Sequence, residues 1–157
     1  MSGLAAIALG SNLDSPVGDR EANLREAIKR LKALGEVRAV SSFYDTEPVG
    51  YVAQPRFLNG ALLLETDLGP AELMRALLAV ERAMGRDRTG TVAKGPRVID
   101  LDLLLYGDTV VNTEDLTLPH PAMAEREFVL RPLAEIAPAM RHPLLGLTVR
   151  EMLVRLG

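Results

Sequence analysis

Gly95-Pro96-Arg97-Val98-Ile99-Asp100-Leu101-Asp102-Leu103-Leu104-Leu105-Tyr106-Gly107 is the most apolar run in the chain, and it carries two carboxylates at its centre. Val98, Ile99, Leu101, Leu103, Leu104 and Leu105 read as a buried strand. Side chains at i and i+2 of a strand point to the same side. Asp100 and Asp102 therefore project together from a strand whose other positions favour a dry interior. Two like charges held that close raise each other's pKa unless a positive charge neutralises them. Magnesium does this well, because it takes one or two carboxylates together with phosphate oxygens. Arg97 lies just upstream, and Gly95-Pro96 shape the entry. An exposed strand edge with aspartates for solubility is the bland alternative, and the apolar flanks favour the metal.

The rest of the chain bounds what such a site can serve. At 157 residues it suits one domain with a sizeable core, and we read residues 1–157 as a single domain. A hydrophobic share of 48% and a charged share of 25% are ordinary for a soluble globular protein. A net charge of −3 gives no general pull toward nucleic acid or anionic membranes. The absence of cysteine excludes disulfides, thiolate metal sites and cysteine nucleophiles. With only His120 and His142, a histidine-rich zinc site is excluded as well. No apolar run reaches membrane-spanning length, and Met1-Ser2-Gly3-Leu4 lacks the charged region of a signal peptide, so the chain reads as cytoplasmic.

Working outward, Leu4 to Leu9 reads as a first strand, ended by Gly10-Ser11-Asn12-Leu13. That turn is like part of a phosphate loop but lacks the Lys-Ser/Thr ending, and a plain tight turn is at least as good a reading. Asp19 to Leu34 reads as a helix with Leu24, Ala27, Ile28, Leu31 and Leu34 as its apolar stripe, closed by Gly35. Val37 to Tyr44 is a second strand, Asp45 to Pro55 a loop, and Phe57 to Thr66 a third strand. Pro70 opens a second helix whose face is Leu73, Met74, Leu77, Val80 and Met84. Arg86 to Lys94 is a basic segment of small residues leading into the Asp strand, suited to an anionic substrate such as a triphosphate. A short hairpin follows (Val110-Val111 and Leu116 to Leu118), then the corner Pro119-His120-Pro121. A short helix from Arg126 to Leu133, with Phe128 and Leu130 inward, and a terminal helix from Val149 to Leu156 complete the chain. The order β-α-β-β-α-β with a C-terminal extension predicts an α+β, ferredoxin-like antiparallel sandwich. We expect the first and fourth strands at its centre and the helices on one face.

Five stretches occur together in one order: Ala8-Leu9-Gly10-Ser11-Asn12-Leu13, Ser42-Phe43-Tyr44, Gln54-Pro55-Arg56-Phe57-Leu58-Asn59, Gly95 to Asp102, and Leu118-Pro119-His120-Pro121. Together they resemble 6-hydroxymethyl-7,8-dihydropterin pyrophosphokinase, an enzyme family of folate biosynthesis, across nearly the whole chain. The resemblance implies transfer of a pyrophosphoryl unit from ATP to the pterin hydroxymethyl group, with release of AMP. It implies two magnesium ions held by Asp100 and Asp102, and catalysis by these two with Arg86 and Arg97. Carried over by motif, the pterin site is Thr46, Pro48, Val49, Phe57, Asn59 and Phe128. ATP contacts are Glu81, Arg86, Arg88, Arg97, Leu103, Leu116, Thr117, His120 and Arg126, with His120 as a phosphate contact rather than a base. The partners are then ATP and a dihydropterin alcohol, with no nucleic acid or membrane, and the chain is expected to be a monomer. It departs from the family pattern at Val92-Ala93-Lys94, at Glu47 and at Pro121.

Two other classes fit less well. A ferredoxin-like regulatory module that binds a small ligand without chemistry leaves Asp100, Asp102 and the basic segment unexplained. A ferredoxin-like RNA-binding domain calls for exposed sheet aromatics and a basic face, whereas aromatics are 4% here and the net charge is negative.

Overall fold

The helices begin where the sequence supplies caps. Asp19 accepts from the Ala22 N–H at 3.0 Å and opens α1 (Arg20–Leu31). Pro70 opens α2 (Pro70–Ala83), where Glu72 accepts from the Gly69 N–H at 3.1 Å. Thr148 and Glu151 form a reciprocal capping box at the start of α4 (Val149–Leu156). These contacts come from a computed structural model that describes residues 2–46, 56–85 and 98–157.

β1 (Gly3–Ser11), β2 (Glu36–Val40), β4 (Phe57–Thr66) and β5 (Asp100–Tyr106) form an antiparallel sheet in the order β2-β4-β1-β5. The short β3 (Tyr44–Thr46) pairs with the start of β4, along the same edge as β2. β6 (Val111–Asn112) and β7 (Thr117–Leu118) make a separate hairpin. α3 is Glu127–Ile136, preceded by a 3-10 turn at Met123–Glu125. The expected ferredoxin-like α+β alternation is present, with β2 and β3 together standing for the second strand.

Five expectations are corrected. The Asp strand is not central: among the described residues β5 pairs with β1 alone, and β1 and β4 hold the middle. It is apolar because both its faces are covered. Ile99, Leu101 and Leu103 pack with Ile7, Leu9, Leu73 and Leu77 in a cluster under α1 and α2. Leu104 and Leu105 pack with Met123, Leu130, Leu133 and Met152 in a second cluster under α3 and α4. Helices therefore cover both faces of the sheet rather than one. The β1–β5 register shifts between Ala6 and Ile7, leaving Leu104 without a partner opposite it, and this bulge lets Leu105 join Leu104 in the second cluster instead of following Leu101 and Leu103 into the first.

The strand expected from Val37 to Tyr44 is broken. At Ser41 the side chain enters the ladder: its Oγ accepts from the Ala61 N–H at 2.8 Å and donates to the Ser42 carbonyl at 2.7 Å. Ser42 then turns to α3, where its N–H donates to Glu135 at 2.9 Å. Asp45 and Thr46, expected to open a loop, still pair with Leu58 and Phe57, and the rest of that expected loop lies outside the described residues. Finally, α1 stops at Leu31, and Gly35 serves a close approach rather than a helix cap. A Cβ there would sit 2.2 Å from the Glu65 carbonyl oxygen.

Candidate active site

The site lies on the α3 side of the sheet, beyond the end of the second core cluster. Residues directly paired across neighbouring strands carry their side chains on the same face. Gly10 of β1 pairs with Asn59 of β4 on one side and with Asp100 of β5 on the other. Ala8 pairs likewise with Ala61 and Asp102. Two parallel rows result, Asn59–Gly10–Asp100 and Ala61–Ala8–Asp102. Each carries an aspartate at the β5 end and a small residue in the middle. The i, i+2 prediction for Asp100 and Asp102 thus holds: both are half-buried, and the intervening Leu101 faces the opposite core.

At the β4 end the row is specific in its polarity. Asn59 is 6% exposed, and its Nδ2 donates to Thr46 Oγ1 across the β3–β4 pair. Its Oδ1 faces Gly10, so close that a Cβ on residue 10 would stand 3.2 Å away. Phe57, two residues earlier, shares this face and is half-buried. Phe128 is on the first turn of α3, half-buried against the second cluster, with the Arg126 guanidinium 5.6 Å from its ring centre.

At the β5 end, the corner after β7 brings His120 to the aspartates. The His120 N–H donates to the Leu104 carbonyl at 2.9 Å, using the acceptor at the bulge. Its Nδ1 accepts from the Ala122 N–H at 3.2 Å, and its Nε2 lies 4.0 Å from Asp102 Oδ1. With Nδ1 committed as an acceptor, the neutral ring carries its proton on Nε2. Burial holds the His120 pKa below its ordinary value, Arg126 lowers it further, and Asp100 opposes the shift. That tautomer leaves an N–H directed toward the aspartates, free to donate a hydrogen bond there, while the Nδ1 lone pair is held by Ala122.

Glu81 of α2 is 2% exposed, and its Oε2 accepts from the Leu101 N–H at 2.8 Å, between the two aspartates. Leu103 and Leu116 lie in the core cluster under α1 and α2, while Thr117 is exposed on β7. Pro48, Val49, Arg86, Arg88 and Arg97 fall outside the described residues. Asp100, Asp102, His120 and Arg126 come together at one end of the face, and Thr46, Phe57 and Asn59 at the other. Among the described residues no three His, Asp or Glu side chains gather as a metal cage. Two half-buried carboxylates on one face are hard oxygen donors of the kind magnesium takes, its shell being completed by phosphate and water; they do not make a closed protein cage.

Sequence reasoning missed two features. Gly10 was read only as part of a turn, although β1 runs on through Ser11. Asn23 is fully buried and staples that turn, donating to the Leu13 carbonyl at 2.8 Å and to Ser11 Oγ at 3.3 Å. A signal for it existed: an amide beside Leu24 and one helical turn before Ala27, on the inward stripe of α1.

Residues 6–138 match the family described as 7,8-dihydro-6-hydroxymethylpterin-pyrophosphokinase (HPPK). The chain belongs to this family. It is 49% identical to the Bacillus subtilis 2-amino-4-hydroxy-6-hydroxymethyldihydropteridine pyrophosphokinase over 138 residues, covering 87% of this chain and 79% of the relative. It is 42% identical over 155 residues to the Schizosaccharomyces pombe folic acid synthesis protein fol1, covering 98% of this chain but 20% of that longer protein. The fold matches that of Plasmodium falciparum HPPK-DHPS crystallised with pteroate, with a TM-score of 0.75 at 14% identity, over 99% of this chain and 42% of the other. The chain therefore spans about a fifth of fol1 and under half of HPPK-DHPS. Among its described residues no helix is long and apolar enough to cross a membrane.

Proposed function

We propose that the chain transfers the terminal pyrophosphoryl group of ATP to the hydroxymethyl oxygen of 6-hydroxymethyl-7,8-dihydropterin. The hydroxyl oxygen forms a bond to the β-phosphorus and releases its proton to solvent, the bond from that phosphorus to the α,β-bridging oxygen breaks with its electron pair, and AMP leaves. One observation carries the reading: the row Asn59–Gly10–Asp100 across β4, β1 and β5. Two strand spacings separate its ends by about 10 Å. Asn59 offers a donor and an acceptor to an amide edge, and the aspartates mark where phosphate charge is neutralised. A flat bicyclic ring bearing a one-carbon alcohol spans that interval, with its oxygen toward the aspartates. Gly10 and Ala8 put no long side chain on the sheet surface under it.

In this reading Thr46 and Asn59 select the pterin edge, and Phe57 and Phe128 supply apolar surface for its faces. Asp100 and Asp102 hold magnesium, two ions in the fuller form of the proposal, which when bound neutralises charge on the ATP phosphates. His120 donates from Nε2 to a phosphate oxygen, and Arg126 stands beside it. Arg86, Arg88 and Arg97 are assigned to the phosphates, with Arg97 leading straight into the Asp strand. Phosphoryl-type transfer asks a protein mainly for positioning and charge neutralisation, and such a constellation supplies both. The chain acts in this proposal as a monomer in the cytoplasm, where ATP and magnesium are both at hand. The test is a product assay with ATP, magnesium and the pterin alcohol. AMP and pterin diphosphate formed in equal amounts, and lost on chelation, is the expected result. ADP as product, or ligand binding without turnover, would overturn it.

A further inference from the structure

Glu81 stands in the last turn of α2, where a carboxylate works against the helix dipole, and it is 2% exposed. A buried carboxylate is costly unless it is well bonded. Its Oε2 accepts at an unusual place, from the N–H of Leu101 at 2.8 Å, on the rim of β5 that β1 does not cover. Leu101 is the residue between Asp100 and Asp102. Three carbonyls along, the same strand is held at Leu104, which accepts from the His120 N–H at 2.9 Å. The rim of β5 is thus fixed on either side of Asp102, once by a helix and once by the corner after β7.

We propose that Glu81 is a positioning residue: its carboxylate pins the Leu101 N–H, keeps β5 extended between the aspartates, and so holds Asp100 and Asp102 on one side for a divalent cation. An edge strand without this bond is free to twist or shift its pleat, and a change at Leu101 turns both carboxylates apart. This inference rests on the metal reading of the aspartates given above. It asks of Glu81 a hydrogen-bond acceptor rather than a negative charge, and that separates it from a direct contact with ATP or metal.

The probe is manganese, titrated into the protein with a non-hydrolysable ATP analogue and followed by electron paramagnetic resonance. Amide exchange at Leu101 is followed by NMR alongside. Glu81→Gln keeps an acceptor oxygen and is expected to hold manganese within about threefold of wild type with Leu101 still protected. Glu81→Met fills the space without an acceptor; it is expected to bind manganese about 10–100-fold more weakly and to lose protection at Leu101. Pterin affinity should be the same in both. Manganese affinity untouched in Glu81→Met while Leu101 exchanges faster overturns the positioning role, as does a loss in Glu81→Gln equal to that in Glu81→Met. Should Glu81→Met fail to fold, the Gln variant decides, since retention of affinity and protection supports the role and loss of either overturns it. Wild-type protein that bound no manganese with the ATP analogue would overturn the metal reading itself, and this inference with it.

Discussion

Replacing Gly10 by alanine tests whether the middle of the Asn59–Gly10–Asp100 row, where no side chain stands, is used by the acceptor. Gly10 is not among the glycines with positive φ, so its backbone accepts an alanine without strain. The new Cβ would lie 3.2 Å from Asn59 Oδ1, 3.6 Å from Phe57 Cδ1 and 3.9 Å from the Leu58 carbonyl oxygen. Only the first contact is tight, and Asn59 must give way by a few tenths of an ångström. Asn59 is not free to do so, because its Nδ2 is bonded to Thr46. Overpacking of this kind costs about 1–3 kcal/mol, and the stiffer unfolded chain returns about 0.4–1 kcal/mol. The variant should therefore fold, with a modest drop in melting temperature. For the acceptor, misplacing one hydrogen-bonding edge costs about 1–1.5 kcal/mol, which is roughly a tenfold rise in Kd. The methyl also stands in the path between Asn59 and the aspartates. Calorimetric titration with the pterin and, separately, with an ATP analogue reads both effects. We expect the pterin Kd to rise about tenfold and the analogue Kd to stay within about twofold. A folded variant with unchanged pterin affinity, or an equal loss for both ligands, would refute the placement of the acceptor over Gly10.

Asp100→Asn and Asp102→Asn should each lower turnover on the order of a thousandfold while thermal melting stays near wild type; most of the activity surviving at saturating magnesium in either would remove the metal assignment. Asn59→Ala should weaken pterin binding by roughly 1–3 kcal/mol, whereas Arg97→Ala should lower kcat more than it weakens pterin affinity, as Kd titration beside single-turnover rates would reveal. Burial depresses the pKa of His142, whose Nδ1 accepts from the Leu144 and Leu145 N–H groups at 3.2 and 3.1 Å. A lowered histidine pKa means that the unfolded chain binds the proton first, so this contribution is intact above the ordinary value of 6.5 and is lost as pH falls below it. His142→Asn, which keeps an acceptor for those amides, should flatten the fall in melting temperature between pH 7 and pH 5; an unchanged slope would count against it.

Much of the fold was legible because it is written in local signals. The span Phe57–Thr66 of β4, the start of α2 at Pro70 and the span Val149–Leu156 of α4 follow from strand composition, a proline at a helix start and a capping box. Lateral order in the sheet was not written that way. The run Leu101 to Leu105 reports that both faces of β5 are dry, and an edge strand sandwiched between helices meets that condition as fully as a central one. The break at Ser41 was hidden for a related reason. Alternation from Val37 to Tyr44 fits an unbroken strand, and only the partner strand reveals that a hydroxyl has taken a backbone group's place beside Ala61.

The candidate site divides along the same line. Asp100 and Asp102 were legible as a pair because two residues of one strand need no knowledge of their neighbours. Asn59 had no such local meaning; its value comes from lying across Gly10 from Asp100, and that depends on β1 being placed between β4 and β5. The order β4-β1-β5 is itself set by apolar burial, through Leu62, Leu64, Ile7, Leu9, Leu101 and Leu103 on the face opposite the site. The strands that bring Asn59 and the two aspartates to one interval are thus locked from behind by leucine and isoleucine packing. The working face is left with small residues, and polar bonds hold its rims: Thr46 to Asn59 at one end, and Glu81 to Leu101 with His120 to Leu104 at the other. Losing a rim bond should therefore disturb one end of the site and spare the other. Losing a core leucine such as Leu9, which is 2% exposed at the centre of the sheet, should loosen both ends together.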